Sequence, residues 1–198
     1  MSMPYWEYFL AIEQDLEKCT RYVQFDVRNY KAYSLEFARI IVASGAECDT
    51  VMKSLCNSID DSEDPDSIGW YFPIVSSAYP RFTEYEINIP RYGLSFMPWK
   101  GWSPTDSPDW WKSAYNKIKH ERDQHFESAN LENAILATAA LLSTLLYYYV
   151  QLRSKEEESK WTTFIDIDYL QSPRLLSPKH YDRLWQGADI LWDYDILR

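Results

Sequence analysis

The stretch AILATAALLSTLLYYYVQL, residues 134–152, decides the fold of this chain, because its nineteen consecutive positions carry no charged side chain. A run of about 20 apolar residues can cross a membrane as a helix. A helix that is apolar on all sides can also lie in the middle of a helical bundle. Four polar residues interrupt the stretch and favour the second interpretation: Thr138, Ser143, Thr144 and Gln151. We therefore predict a buried central helix over about 131–153 and no membrane association.

Two segments that precede the central helix carry apolar residues at helical spacing. The first, about 5–18, has one apolar face, formed by Tyr5, Phe9, Ile12 and Leu16. The second, about 33–55, has a longer stripe, formed by Tyr33, Phe37, Ile40, Ile41, Ser44, Cys48, Val51 and Leu55. Gly45 interrupts this stripe, although a helical glycine costs about 1 kcal/mol relative to alanine. We expect Gly45 to mark close packing against a neighbouring element.

Residues 57–108 differ from the helical segments on either side. They open with the acidic, turn-rich NSIDDSEDPDS, and the prolines that follow it disfavour a long helix. TEYEINIP alternates as a strand does, and PRYG before LSFMPW allows a hairpin. We predict an insertion with a small two-stranded element. Its aromatic groups, WYF at 70–72 and WKGW at 99–102, are expected to pack against the bundle rather than to stack on bases.

A third helix is predicted from Ser107, as the N-cap, and Pro108 to about residue 126. A short amphipathic helix is predicted near the end of the chain, over about 178–192. No internal repeat and no linker divides the sequence, so we expect one domain over residues 1–198. The predicted fold is mainly α: an up-and-down helical bundle of four principal helices with a proline-rich, partly β insertion and a short C-terminal helix.

Charge and cysteine content narrow the function classes. Thirty acidic and twenty basic side chains give a net charge of −10, which argues against a broad surface for nucleic acid and leaves only local RNA contacts. No P-loop, dinucleotide fingerprint or zinc-protease motif occurs. Three cysteines without a CxxC pair or a signal-peptide pattern favour buried thiols and a cytoplasmic location.

The stretch WWKSAYNKIKHERDQHF, residues 110–126, raises the question of chemistry, because it places His120 among charged residues. A helical wheel at about 100° per residue separates this segment into two sides. The side expected to face the core holds Trp111, Ala114, Tyr115, Ile118 and His125, with the stem of Arg122. The opposite side holds Lys112, Ser113, Asn116, His120 and Asp123. His125 therefore fits a core histidine, whereas His120 does not.

Two interpretations of the second side stay open. It faces solvent, as polar helical sides usually do, or Asn116 and His120 address one ligand or partner chain from adjacent turns. Imidazole titrates near neutral pH and can move protons in phosphodiester chemistry. A metal ion and a cofactor are not expected, because His120 and His125 lie on nearly opposite sides and the acidic loop lacks the glycine and final glutamate of a calcium loop.

The third and fourth predicted helices, WWKSAYNKIKHERDQHFESANLENAILATAALLSTLLYYY, resemble those of HEPN-type domains, a prokaryotic superfamily of compact helical nucleotide-binding and ribonuclease-like proteins. RYVQF and YSLEFARIIVASGAECDTVMKSLC resemble the first half of such proteins. The resemblance covers about half of the chain. The family signature is an arginine, a small polar residue and a histidine one turn later, which here places Asn116 and His120 at the site. The resemblance also implies a homodimer in which both copies of these residues share a cleft that binds RNA or a nucleotide.

The chain departs from the signature where the arginine is expected, because Tyr115 stands there. Tyrosine cannot supply the cation that holds phosphate. If the domain is active, another cation must substitute, and the candidates are Lys112, Lys117, Lys119, Arg122 and, from the second helix, Arg39. A lysine offers a point charge rather than a bidentate fork.

Two functions follow from these observations. The first is a noncatalytic HEPN-like accessory or interaction protein that binds RNA, a nucleotide or a partner protein. The second is a metal-independent endoribonuclease in which His120 acts as general base or acid and Asn116 positions phosphate. The missing arginine and the net charge of −10 favour the first function, whereas the pairing of Asn116 and His120 on the side opposite the core favours the second.

Overall fold

The computed structural model describes residues 4–62, 64–159 and 172–179. It contains the helices α1 (Pro4–Cys19), α2 (Leu35–Ile59), α3 (Ile68–Ala78), α4 (Asn116–Glu121) and α5 (Leu131–Ser159). A π-helical segment, Trp110–Tyr115, leads directly into α4. The strands β1 (Ile87–Ile89), β2 (Leu94–Phe96) and β3 (Ser177–Pro178) form one small sheet. The prediction of a mainly α fold is confirmed.

Helix α5 is the centre of the molecule, as its sequence predicts. By length and composition it could cross a membrane, but 78% of its most apolar window is buried inside the protein. Helices α1 and α2 pack along it. The aromatic residues of the insertion cover a further side, where the ring centroids of Phe82 and Tyr147 lie 4.7 Å apart. These contacts are those of a core helix.

The polar residues of α5 find partners within the core. Ser143 accepts a hydrogen bond from the Trp99 indole at 3.1 Å. Thr138 lies 3.3 Å from the hydroxyl of Ser44 on α2. Gln151 accepts a hydrogen bond from the Tyr79 hydroxyl at 2.6 Å. Buried hydroxyl and amide groups cost little when they are paired, which explains how an otherwise apolar helix tolerates these residues.

Helix α2 begins at the residue that follows Ser34, whose hydroxyl accepts a hydrogen bond from the backbone of Phe37 at 3.1 Å. This contact caps the helix. The predicted apolar stripe faces the core from Phe37 to Leu55. Tyr33 is the exception, because it precedes the cap and is exposed. All three cysteines are buried, and burial raises the pKa of the Cys19 thiol to about 11 and that of Cys48 to about 12.

Gly45 allows the π-helical segment to approach α2. A Cβ atom at this position would lie 2.3 Å from the Tyr115 ring, far inside van der Waals contact. Tyr115 is buried against this gap. The expectation that Gly45 marks close packing is confirmed, and its partner is Tyr115.

The third predicted helix differs from its prediction in start and form. Ser107 is not its cap, because the π-helical segment begins at Trp110 and has no side-chain cap. The backbone N–H of Asn116 bonds to Trp111, five residues back. α4 ends at Glu121, five residues before the predicted end. Among the residues that the structure describes, three of the four predicted principal helices are long: α1, α2 and α5. The fourth is short and joins the π-helical segment to α4.

The insertion contains a helix that the prolines had argued against. α3 runs for 11 residues with Pro73 inside it. The predicted hairpin is present, with β1 antiparallel to β2 and Ile87 opposite Phe96. The sheet has a third strand, β3, which pairs with β1 through Ile87 and Pro178. Pro178 therefore belongs to a strand rather than to the predicted C-terminal helix, whose residues after Lys179 lie outside the described ones.

The aromatic residues of the insertion pack as predicted, with one exception. Trp99 and Trp102 are buried with ring centroids 4.9 Å apart, and Trp110 lies 5.7 Å from Trp99. The Trp102 indole donates to the carbonyl of Ile68 at 3.2 Å, which ties this cluster to α3. Trp70 is the exception, since 59% of it is exposed.

Glu13 on α1 holds the segment that leads into β3. Its carboxylate accepts backbone hydrogen bonds from Arg174 at 3.0 Å, Leu175 at 2.9 Å and Leu176 at 2.8 Å. Only 2% of Glu13 is exposed. Burial raises the pKa of the Glu13 carboxyl, while the three N–H donors act in the opposite direction. This carboxylate therefore anchors the later part of the chain on the first helix.

Replacing Gly45 by alanine should destabilise the protein, because the new methyl group would meet the Tyr115 ring. We expect Gly45→Ala to lower the free energy of unfolding by about 1 to 3 kcal/mol, despite the better helix propensity of alanine. Gly69→Ala is the matched control, since a Cβ atom there meets nothing within 4 Å. It should stabilise by up to about 1 kcal/mol. Urea unfolding of the two variants and the wild type makes the comparison, and equal midpoints for both variants would refute the packing.

Replacing Glu13 by glutamine should weaken the anchor, because an amide nitrogen would face a backbone N–H. We expect Glu13→Gln to cost about 1 to 3 kcal/mol in urea unfolding. Glu17→Gln on the same helix is the control, since its carboxylate accepts no hydrogen bond among the described residues. A Glu13→Gln protein as stable as the control would show that the three hydrogen bonds contribute no net stability.

Candidate functional site

An open groove lies between α2 and α4, with Tyr8 of α1 at one side. Its volume is about 1090 Å³, which is as large as the pockets that hold small ligands and cofactors. His120 lines this groove and is exposed. The groove is therefore the surface on which the candidate histidine can act.

Helix α2 forms one wall of the groove with a second helical stripe. The stripe follows the spacing i, i+3, i+4, i+7, i+8 and i+11 and consists of Leu35, Ala38, Arg39, Val42, Ala43 and Ala46. Small side chains keep this wall low, so the groove is wide. The spacing of this stripe is present in the sequence beside the core stripe, but its small residues give too weak a hydrophobic pattern to predict a groove wall.

The opposite wall comes from α4 and the turn after it. Ile118 is the buried base of this wall, and Lys119, His120, Arg122, Asp123 and Phe126 complete it. His120 has no hydrogen-bond or ion-pair partner among the described residues. Its imidazole is therefore available to a ligand.

The charges of the groove are mainly positive within the part of the chain that the structure describes. Three cations line it, Arg39, Lys119 and Arg122, against one acid, Asp123. This is a local excess in a chain whose net charge is −10. Because Arg39 is paired with acids beside the groove, Lys119 and Arg122 are the cations that favour an anionic ligand here rather than over the protein as a whole.

Arg39 is held by acids beside the groove. Its guanidinium forms ion pairs with Asp15 on α1 and with Glu36 one turn earlier on α2. These partners raise the pKa of Arg39 further above its ordinary value. Half of its side chain is exposed, so it can reach a ligand, but two carboxylates already neutralise it. Arg39 is thus a weak anchor for a phosphate group.

Lys119 lies over the ring of Tyr115. Its ammonium is 5.3 Å from the centroid of the Tyr115 ring and 3.3 Å from the Tyr115 hydroxyl. A cation over an aromatic face is attracted by the ring. Tyr115 is buried, as predicted, and its ring positions a lysine of the groove.

Three of the predicted site residues do not line the groove. Asn116 and Lys117 are exposed outside its lining, although Asn116 lies one turn from His120. Lys112 forms ion pairs with Asp106 at 2.8 Å and Asp109 at 3.3 Å. The helical wheel assumes the same number of residues in every turn. The π-helical turn contains an additional residue, so the wheel assigns Lys112 to the wrong side of the helix. The structure brings His120 together with Arg39, Lys119 and Arg122 only.

His125 is not a core histidine. It follows the end of α4, is partly exposed, and its imidazole lies 3.4 Å from the Glu121 carboxylate. The early end of α4 moves it off the face on which the wheel placed it. His125 therefore sits near the groove wall as a partner of Glu121.

The arrangement can bind an anion and offers one proton-transfer group. Phosphate would find Arg122, Lys119 and the exposed part of Arg39, while Tyr8 and Phe126 present aromatic rings on which a base can stack. Comparison of the chain with family models, with curated proteins and with solved structures finds no match.

An arginine at position 115, where the resemblance to HEPN-type domains leads us to expect one, should break the core rather than create activity. Tyr115→Arg would place a guanidinium where an aromatic ring packs on Gly45, and we expect a loss of at least about 3 kcal/mol in the free energy of unfolding. Asn116→Arg adds the same charge at the next, exposed position and should leave stability within about 0.5 kcal/mol. Thermal unfolding of both variants tests this, and a stable Tyr115→Arg protein would contradict the buried position of the side chain.

Proposed function

We propose that this chain is a noncatalytic, HEPN-like accessory protein of the prokaryotic cytoplasm that binds RNA or a nucleotide through the groove between α2 and α4. The observation that carries the proposal is that Lys119, Arg122 and the half-exposed Arg39 line the same groove as His120 on a strongly acidic chain. Following the family resemblance, the protein would act as a homodimer, alone or beside a partner protein.

The groove suits a flexible, single-stranded ligand better than a duplex. Bases can stack on Tyr8 and Phe126, and the cations on the α4 side can follow the backbone. A duplex would require a broad basic surface, which a net charge of −10 makes unfavourable. We therefore expect weak, salt-dependent binding of single strands or nucleotides.

We infer that the site is noncatalytic from the kinds of cations that it contains. Hydrolysis of a phosphodiester by an imidazole needs a cation that stabilises the charge of the transition state. Tyr115 cannot provide it, Arg39 is already neutralised by Asp15 and Glu36, and a lysine lacks the bidentate fork of arginine. Within the described groove lining, Arg122 alone is left to supply this charge. Binding places fewer demands on geometry, so it is the function that this groove supports best.

A metal-independent endoribonuclease remains the second candidate. The exposure of both Asn116 and His120, one turn apart on α4, favours it. In this alternative His120 moves the proton of the ribose 2′-hydroxyl and Asn116 positions the phosphate. The cation would be Arg122, the arginine of the groove lining that has no ion pair among the described residues. A dimer cleft would bring the two copies of this set together.

The test is binding and cleavage of a labelled, mixed-sequence single-stranded RNA in the presence of EDTA. We expect binding without cleavage. Arg122→Gln should weaken binding about twofold to fivefold, because it removes one cation from the groove. Lys117→Gln, which makes the same change of charge outside the groove lining, is the matched control and should leave binding unchanged.

The outcomes separate the two candidates. Cleavage by the wild type that disappears in His120→Ala, with both proteins equally folded, would establish the endoribonuclease. Equal losses of binding in Arg122→Gln and Lys117→Gln would show that the groove is not the binding surface. No binding of RNA, ATP or GTP at low salt would refute the nucleotide-binding function itself.

A further inference from the structure

A second cavity lies far from His120 in the sequence, between the end of α2 and the outer face of α3. Its volume is about 520 Å³. It is lined by Ile59, Asp60, Gly69, Trp70, Pro73, Ile74 and Ser77. None of these residues lines the groove at α4, so this surface is independent of the proposed function.

The face that α3 presents to this cavity is a complete helical stripe. Residues 69, 70, 73, 74 and 77 follow one another at helical spacing. The opposite face is fixed in the core, where the Tyr71 hydroxyl donates to Asp49 at 3.1 Å and Phe72 contacts Trp102. α3 is therefore held rigidly with an apolar stripe turned outward.

Trp70 is the main feature of this stripe. Its side chain is large, yet 59% of it is exposed, whereas the neighbouring Tyr71 is buried. Tryptophan is among the residues that contribute most to binding energy at interfaces. An indole held on a rigid helix beside a cavity is suited to receive a ligand with an apolar or planar cationic group.

Two acceptors accompany the indole. Asp60 lines the cavity, and its Oδ1 accepts from the backbone and hydroxyl of Ser62, which leaves Oδ2 without a hydrogen bond among the described residues. Pro73 has no N–H, so the carbonyl of Gly69 receives no helical bond from the residue four positions later. A donor-rich group over Trp70 would meet both a carboxylate and a carbonyl.

The charge around the cavity is negative. The sequence 60–66, DDSEDPD, contains five acids and no cation. Asp64 pairs with Lys53 at 3.0 Å. Hydrogen bonds from Ser62 and, to a smaller extent, the charge of Lys155 lower the pKa of Asp60, while Asp61 and Asp66 are exposed as well. The field at this surface thus favours a basic occupant.

We propose that this cavity, the Trp70 pocket, is a docking site for a basic segment of a partner protein, in which an arginine stacks on Trp70 and binds Asp60. Guanidinium is planar, rich in donors and stacks on aromatic faces, so it matches the indole, the carboxylate and the carbonyl together. A lysine would satisfy the charge but not the stacking geometry.

The charges of the chain itself argue against two other occupants. The last residues, 180–198, carry four acids and two arginines, so the end of the chain is a poor match for an acidic pocket. A second copy would bring another chain of net charge −10, with the same acids, to the surface. A different, basic protein is the occupant that the charges favour.

The test uses the full chain and capped peptides of alternating glycine with arginine, lysine or glutamate. Binding is followed by the shift of the Trp70 indole resonance in nitrogen-15 spectra, assigned with Trp70→Phe, and by fluorescence anisotropy of labelled peptides. We expect the arginine peptide to bind and the glutamate peptide not to bind. Trp70→Ala and Asp60→Asn should each weaken arginine-peptide binding by about tenfold.

Gly69 provides a matched pair of variants, because its Cβ position is open. Gly69→Lys should abolish peptide binding by repulsion, while Gly69→Ser, of neutral charge, should retain it. Arg122→Gln in the other groove should have no effect. Circular dichroism confirms that each variant is folded, which is expected because every changed side chain is exposed.

Three results would overturn the proposal. Equal binding of arginine and lysine peptides that survives Trp70→Ala would mean nonspecific attraction to an acidic chain. No shift of the Trp70 resonance with any peptide at low salt would exclude the pocket as a basic-peptide site. Sedimentation that shows self-association lost in Trp70→Ala would assign the pocket to a second copy of this chain.

Discussion

The burial of α5 on every side is the constraint on which the rest of the structure depends. A helix with apolar residues around its whole circumference needs cover in all directions, and α1 and α2 supply only part of it. The insertion supplies the rest, since Phe82 and Tyr85 pack on Tyr147, and Trp99 bonds to Ser143. The insertion is therefore part of the core rather than an appendage, and its aromatic richness follows from this role.

Local periodic patterns in the sequence predict much of the fold. Features that depend on contacts between residues distant in the sequence could not be predicted. The stripes of α1, α2 and α5 and the β1–β2 hairpin are local patterns, and the structure contains them. α3 escapes prediction because Pro73 counts against a helix locally, while packing of Tyr71 and Val75 in the core stabilises it. The third strand depends on Glu13, which binds the chain about 160 residues later, and no local pattern reports such a contact.

The candidate site likewise has some features that the sequence predicts and others that depend on tertiary packing. The exposure of His120 and the inward direction of Tyr115 follow from the wheel, because both depend only on helical geometry. The inclusion of Arg39 among the candidate cations also agrees with the groove. The exclusion of Lys112 could not be predicted, because a π-helical turn changes the facing of residues without a distinct sequence pattern. The neutralisation of Arg39 by Asp15 depends on the packing of α1 against α2.

Tyr115 connects the chemistry of the proposed site with the packing of the core. Its ring fills the space that Gly45 leaves open, and its outer face positions Lys119. An arginine at this position would lose the first contact and repel the lysine of the second, so the protein could accept it only together with changes on α2 and α4. Under the proposed function, Gly45, Tyr115 and Lys119 together therefore disfavour an arginine at position 115. Binding through the remaining cations requires no such coordinated change, which is the physical reason to favour a binding role over catalysis.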